Sequence, residues 1–218
     1  MNSDEEQFIP LFPLPLVLFP YMPLPLHVFE PRYREMIHSC IDEKKPFGLI
    51  RAGANGTSWA GCLAEVRTVL QRFDDGRFDI LSFGLQRFSV INFDTSKDYL
   101  QAAVRPFRDA QQSEVELASE LRDTAIELFL EFAQLNGRKV SRKNLKKMPD
   151  EELSFMMCHG ELFSLAEKQE LLELRDTRLR LNRCATRLSD GIDQRVKLSR
   201  VEEHLKGPSL AELQKLLN

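Results

Sequence analysis

The residue types that can do chemistry are few in this 218-residue chain, and they are badly spaced for it. Cys158 and His159 are adjacent and suggest a metal site. A structural zinc site needs four tetrahedral Cys/His ligands at short spacings, and the partners are missing. No C-x-x-C occurs among Cys40, Cys62, Cys158 and Cys184, so reduced thiols, each a small buried hydrophobe, are the default reading. His27, His38, His159 and His204 show no H-E-x-x-H spacing. There is no G-x-x-x-x-G-K-[ST] loop to cradle a nucleotide and no G-x-S-x-G elbow to present a serine. The sequence therefore predicts no catalytic residue, no metal and no cofactor.

What remains is recognition chemistry. Phe29-Glu30-Pro31-Arg32-Tyr33 is either a binding patch or a strand-to-helix corner, with Glu30 and Pro31 at the helix start and Tyr33 opening a buried stripe. Trp59, between Gly56 and Gly61 in a glycine-rich, loop-like stretch, is either an exposed anchor or a plug for one end of the β structure. Arg138, Lys139, Arg142, Lys143, Lys146 and Lys147 form a basic run. It is either a phosphate-binding stripe or a solvated inter-helix loop balanced by the acidic helix before it, and no aromatic residue is interleaved for base stacking. Pro10-x-x-Pro13 and Pro20-x-x-Pro23 fit a polyproline motif, but the intervening Leu, Phe, Tyr and Met suit a core better. A formal net charge of −3 gives no bulk attraction to nucleic acid or anionic membranes.

Two kinds of element must position these groups. Up to about residue 108 the pattern is strand-like. Leu16–Phe19 is a short buried-strand candidate that flanking prolines should confine to an edge or end quickly. Tyr33, Met36, Ile37, Cys40 and Ile41 recur at helical spacing. Phe47–Ile50, Ala64–Leu70, Phe78–Ile80, Phe88–Val90 and Leu100–Val104 follow as strands, with Asp74-Asp75-Gly76 as a hairpin turn and Gly84 as punctuation. From about residue 112 the pattern is helical. Ser113 and Glu116 form a capping box, and Gly137 ends that helix. A second helix runs from Pro149-Asp150 to about Gly160. Ser164 and Glu167 open a third, with Leu171, Leu174, Leu181, Cys184 and Leu188 on one face and Asp176–Arg180 as a solvent-side pair. A further helix spans about 190–206, stops at Gly207-Pro208, and Ser209 and Glu212 open a terminal one. Phe8–Phe29 is apolar but follows an acidic start and holds six prolines, which reads as neither a secretory signal nor a membrane span.

Three segments then become recognisable together. Ile9–Leu14 with Val17–Pro20, Leu24–Leu26 and Phe29–Tyr33 resembles the opening of the Lon protease N-terminal domain family, especially its stand-alone members. Asp75–Phe78 followed by Gly84-Leu85-Gln86-Arg87-Phe88 is similar to that family's hairpin and next strand. Phe163–Gln169 with Leu171-Leu172-Glu173 and Arg180-Leu181 resembles a helix near the domain's end. Gly61-Cys62-Leu63 departs from the family's frequent glycine-threonine. The resemblance implies an α+β fold: a PUA-like β-barrel of six or seven short strands and one helix over residues 1–110, then an α-helical bundle over 111–218. It also implies a non-catalytic, cytoplasmic protein-binding module without the ATPase or peptidase. Its expected partners are unfolded or extended protein segments, with a protease or chaperone as co-worker and no membrane. RNA binding through the 138–147 run is the alternative. Phe29, Glu30, Arg32, Tyr33 and Trp59 are the candidate protein-binding residues, and the groove between β domain and bundle the expected surface.

Overall fold

The computed structural model describes residues 5–53, 56–110 and 119–205. The front part is β1 (Gln7–Leu14), β2 (Pro23–Val28), α1 (Pro31–Glu43), β3 (Phe47–Gly53), β4 (Gly56–Arg72), β5 (Phe78–Asp94) and β6 (Gln101–Phe107). The sheet order is β2-β5-β4-β3-β1-β6, and β5 also pairs with β6. That extra pairing closes β1, β3, β4, β5 and β6 into a ring, with β2 laid on the outside of β5. Every ring strand contributes to one small core: Ile9 and Leu11, Ile50, Leu63, Phe88 and Val90, Ala102 and Val104. Gly48 and Gly61 make room for it, since a Cβ on either would lie within 3 Å of the Phe88 ring.

Several elements differ from the sequence reading. Leu16–Phe19 is not a strand: Val17, Leu18 and Phe19 are buried in a connection after β1. Pro10 and Pro13 lie in β1 between two partners. They are tolerated because β1 pairs with β6 through Gln7–Pro10 and with β3 through Leu11–Leu14, so each proline needs ladder bonds on one side only. Two strands are long, at 17 residues each. Gly84 does not end one of them; β5 runs through it. Its missing side chain lets the backbone of Phe19 cross the strand, where a Cβ would stand 2.2 Å from the Phe19 carbonyl oxygen. The Asp74-Asp75-Gly76 turn forms, with Gly76 at φ +83°.

The helical part is α2 (Ser119–Leu135), α3 (Arg142–Lys147), α4 (Asp150–His159), α5 (Leu165–Glu173) and α6 (Thr177–Leu205). The Ser113–Glu116 box and the terminal helix at Ser209 lie outside the described residues. Gly137 follows α2 at φ +69°, and the Ser164–Glu167 box caps α5 through both of its hydrogen bonds. The expected single helix through Leu188 instead breaks at Leu174–Asp176, where the Asp176 carboxylate accepts the amide of Leu179 and starts α6. No new helix starts near 190. α6 continues, and Gly191 brings it against Leu162 and Phe132. α4, α5 and α6 pack on the sheet through one continuous apolar core, in which Phe155 of α4 stacks on Phe19 at 5.8 Å. Among the described residues no helix is long and apolar enough to cross a membrane.

Candidate functional site at the seam between sheet and helices

Two arginines hold the seam. Arg87 of β5 and Arg180 of α6 are 1% and 0% exposed, yet both are cations. Such groups persist in a core only when paired and fully hydrogen-bonded. Asp109, just after β6, supplies the pairing. Its Oδ1 accepts from Arg87 Nη2 at 2.5 Å, its Oδ2 accepts from Arg180 Nη2 at 2.6 Å, and the Thr177 hydroxyl donates to it as well. Arg87 Nη1 also donates to the carbonyls of Leu172 and Leu174, and Arg180 Nε to the Ser154 hydroxyl. The Phe155 ring lies between the guanidiniums, 5.0 Å from that of Arg87 and 4.0 Å from that of Arg180. β5, α4, α5 and α6 are thereby fixed to one another. Arg180 is thus not half of a solvent-side pair with Asp176. Thr177, Leu181 and Cys184 on the same face of α6 are buried with it, and that face meets Asp109.

Burial alone would raise the Asp109 carboxyl. The hydrogen bond and charge of Arg180, the Thr177 hydroxyl and the charge of Arg87 outweigh it and hold the group below its usual range. A carboxylate depressed in the folded state contributes stability above its unfolded value of about 3.9, and loses it as pH falls through the lower folded value. Acid titration followed by circular dichroism is therefore expected to show stability falling below about pH 4, with a shallower fall in Asp109→Asn.

Openings lie on both sides of this strut. The larger, about 540 Å³, is lined by Tyr21, Phe83, Leu85 and Phe107, together with Arg67, Gln86, Arg87, Arg108, Glu151 and Glu152. A bulge shapes it: Ala64 opposes Gly84 and Cys62 opposes Arg87, so β5 carries one extra residue at Leu85–Gln86, and Leu85 is left exposed. Tyr21 stands at the mouth, 45% exposed and at φ +67°, a conformation that costs a non-glycine residue energy. Reciprocal bonds lock it: the Tyr21 amide donates to the Gly84 carbonyl and the Gly84 amide to the Met22 carbonyl. The second opening, about 410 Å³, is lined by Trp59, Ser89, Val90, Phe107, Glu173 and Arg175. Phe107 borders both, its ring between the guanidiniums of Arg87 at 4.8 Å and Arg175 at 4.7 Å.

The sequence candidates are divided by this geometry. Trp59 sits on β4 rather than in a loop, because Gly53 and Gly56 close the hairpin ahead of it. It is 60% exposed and packs edge-on against Phe93 at 5.0 Å. Phe29, Glu30, Arg32 and Tyr33 gather at the other end of β4, next to the β4–β5 hairpin. There Arg32 pairs with Glu30 at 2.7 Å, Tyr33 is buried against Phe12, and Phe29 stays exposed beside His27. The basic run is partly helical rather than a loop, since Ser141 caps α3. Arg142 pairs with Glu127 and Lys146 with Asp123 of the preceding helix, and Arg138 with Glu161. Cys158 faces Cys184 in the core at 3.4 Å, and among the described residues no group of three or more His, Cys, Asp or Glu is placed to hold a metal. Burial pushes the Cys40 thiol up to about 11 and that of Cys62 up to about 12, values at which a thiol is a poor nucleophile.

Residues 9–190 match the family model of the ATP-dependent protease La (LON) substrate-binding domain. The chain belongs to that family. It is 25% identical to a Lon protease of Buchnera aphidicola (subsp. Baizongia pistaciae) over 230 residues. It is 26% identical to the Lon protease of Escherichia coli K12 over 238 residues. Each alignment covers 99% of this chain but only 29% and 28% of those proteases. The fold matches the N-terminal domain of a Mycobacterium avium complex Lon protease with a TM-score of 0.70, at 18% identity over 84% of this chain and 99% of that one. It matches the Lon N-terminal domain protein of Xanthomonas campestris with a TM-score of 0.61, at 21% identity over 81% of this chain and 96% of that one. Two of the motifs by which the Lon family is recognised in this sequence, Gly84-x-x-Arg87-Phe88 and Arg180-Leu181, supply the buried arginines of the strut.

Proposed function

We propose that this Lon-type domain is a non-catalytic module that binds extended, apolar segments of other proteins in the seam, in the cytoplasm, as an adaptor to a protease or chaperone. The observation that carries the reading is the larger seam opening. Apolar side chains of Tyr21, Phe83, Leu85 and Phe107 line it beside charges of both signs, and its shape is held by a buried strut, so it is preformed rather than assembled on binding. The sheet edges support the same reading by default. β2 carries Pro23 and Pro25 on its outer side, and β4 beyond Ala64 carries register shifts around Arg67 and Leu70, so neither offers a regular ladder to a guest strand. Side-chain capture in a groove is then the available mode. The membership of the chain in a family described as substrate-binding supports a protein ligand.

The test is fluorescence anisotropy with reduced, carboxymethylated α-lactalbumin, a permanently unfolded polypeptide. Binding of about micromolar strength is expected, weakened about tenfold by Leu85→Asp, with no change in thermal midpoint. No binding at low salt would overturn the proposal. A single-stranded RNA probe run alongside decides the alternative. RNA binding that falls steeply with salt, and is lost when Arg142, Lys143, Lys146 and Lys147 are changed to Glu, would replace the protein reading. The ion pairs that already engage Arg142 and Lys146 favour the protein.

A further inference from the structure

Away from the seam openings, the fold brings two oxidisable side chains into contact. Ser154 of α4 meets Arg180 of α6 and, one turn further along both helices, the thiol of Cys158 meets that of Cys184. Each pair is 26 residues apart in sequence, so α4 and α6 lie parallel and in register at this point. The two sulfurs are 3.4 Å apart, at van der Waals contact, and both residues are fully buried. A disulfide requires them at about 2.05 Å, and small rotations about the two Cα–Cβ bonds can bring them that far together. Cys40 and Cys62 belong to α1 and β4, so neither sits on this pair of helices.

We infer that Cys158 and Cys184 form an oxidation site, at which a peroxide converts the pair into a disulfide that ties α4 to α6. One sulfur attacks a peroxide oxygen and the O–O bond breaks. That sulfur keeps the OH as a sulfenic acid, and the other oxygen leaves as water with the thiol proton. The second sulfur then attacks the sulfenic sulfur, the S–S bond forms, and the OH leaves as water with the second thiol's proton. Two thiols lose two electrons, and one peroxide becomes two waters. The partner thiol at contact distance traps the sulfenic acid before it can be oxidised further. Burial sets the pace. It admits only a small uncharged oxidant, and desolvation, with the neighbouring Cys184 adding to it, raises the Cys158 thiol so that little thiolate is present. The pair therefore answers sustained oxidant rather than a brief pulse. The bond closes a loop of 26 residues that holds the end of α4, all of α5 and the start of α6. A loop closed in this way stabilises the fold chiefly by restraining the unfolded chain. None of this depends on what the seam binds.

The experiment incubates the full chain with excess hydrogen peroxide, unfolds it, alkylates free thiols with iodoacetamide and maps the peptides by mass spectrometry without reductant. The expected product is one linked pair of peptides containing Cys158 and Cys184, lighter by two hydrogens than the free peptides together and split by dithiothreitol. Cys40 and Cys62 are expected to be recovered alkylated. The thermal midpoint of the oxidised chain is expected to rise by about 5–10 °C and to return on reduction, a reversal that methionine sulfoxide formed in the same treatment does not show. In Cys184→Ala, where Cys158 has no partner, peroxide is expected to give neither the link nor the reducible rise. If that core substitution prevents folding, the peptide map of the unaltered chain decides by itself. Recovery of Cys158 and Cys184 as free thiols after prolonged peroxide, their conversion to sulfinic or sulfonic acids, or a link that includes Cys40 or Cys62 would overturn the assignment.

Discussion

Asp109→Ala is expected to cost about 3–5 kcal/mol of folding free energy. The side chain it removes is the carboxylate shared by Arg87 and Arg180, which leaves two guanidiniums facing each other in the core. The nearest remaining carboxylate on Arg87 is that of Glu151, 3.6 Å away and partly exposed. A surface ion pair of the same chemistry contributes about 0–1 kcal/mol, because water solvates whichever charge is left behind. Here water is excluded, so the uncompensated charge carries its desolvation in full. For a chain of this size the loss corresponds to a fall of roughly 10 °C in thermal midpoint. Differential scanning calorimetry measures it, and a fall equivalent to less than about 1 kcal/mol would mean that the cluster is decorative. Coupling gives a second check. With Arg87→Met already in place one of the two stranded cations is gone, so the further cost of Asp109→Ala should be smaller, and the two changes should be clearly non-additive.

Phe155→Ala is the other large effect, at about 3–5 kcal/mol. The ring is fully buried, stacks on Phe19, and fills the space between the two guanidiniums. Deleting it opens a cavity whose walls are partly charged, so collapse is opposed as well as incomplete. Phe155→Leu keeps most of the volume and loses the ring face, and is expected to cost less than half as much. Chemical denaturation resolves the two. Equal costs for Ala and Leu would show that the ring matters only through its interaction with the arginines and not through the volume it fills.

Both predictions fall on residues whose importance a reading of the chain in isolation does not show. Arg87 alternates with Phe88 and Val90 as any solvent-side strand residue would, and Arg180 follows Asp176 at the spacing of a surface helix pair. Local periodicity describes which side of an element a residue takes. It does not say whether a second element covers that side. Only the likeness of Gly84-x-x-Arg87-Phe88 and Arg180-Leu181 to a known family marked these positions, and it did so without giving a reason. The reason is tertiary: residues 85 positions apart in β5 and α5 and 71 apart in Asp109 and Arg180 meet at one point.

The same distinction separates the elements. The hairpin at Asp74–Gly76, the buried stripe of α1 and the capping box at Ser164 were legible because each is decided within about one turn of chain, by positive φ, by helical period and by a reciprocal bond to orphan amides. The division into a β front and a helical back followed from the same local signals. The tolerance of Pro10 and Pro13 inside β1 depends on which neighbours that strand has at each residue, and that is settled by ring closure. Trp59 could be exposed by type or plugging by type; its place on β4 is decided by the pairing of that strand with β3 and β5. The seam openings exist only where a bulged strand meets the ends of two helices, α4 and α5. No stretch of the sequence contains that meeting, because what holds it is the pairing of charges and the burial of rings that belong to different stretches.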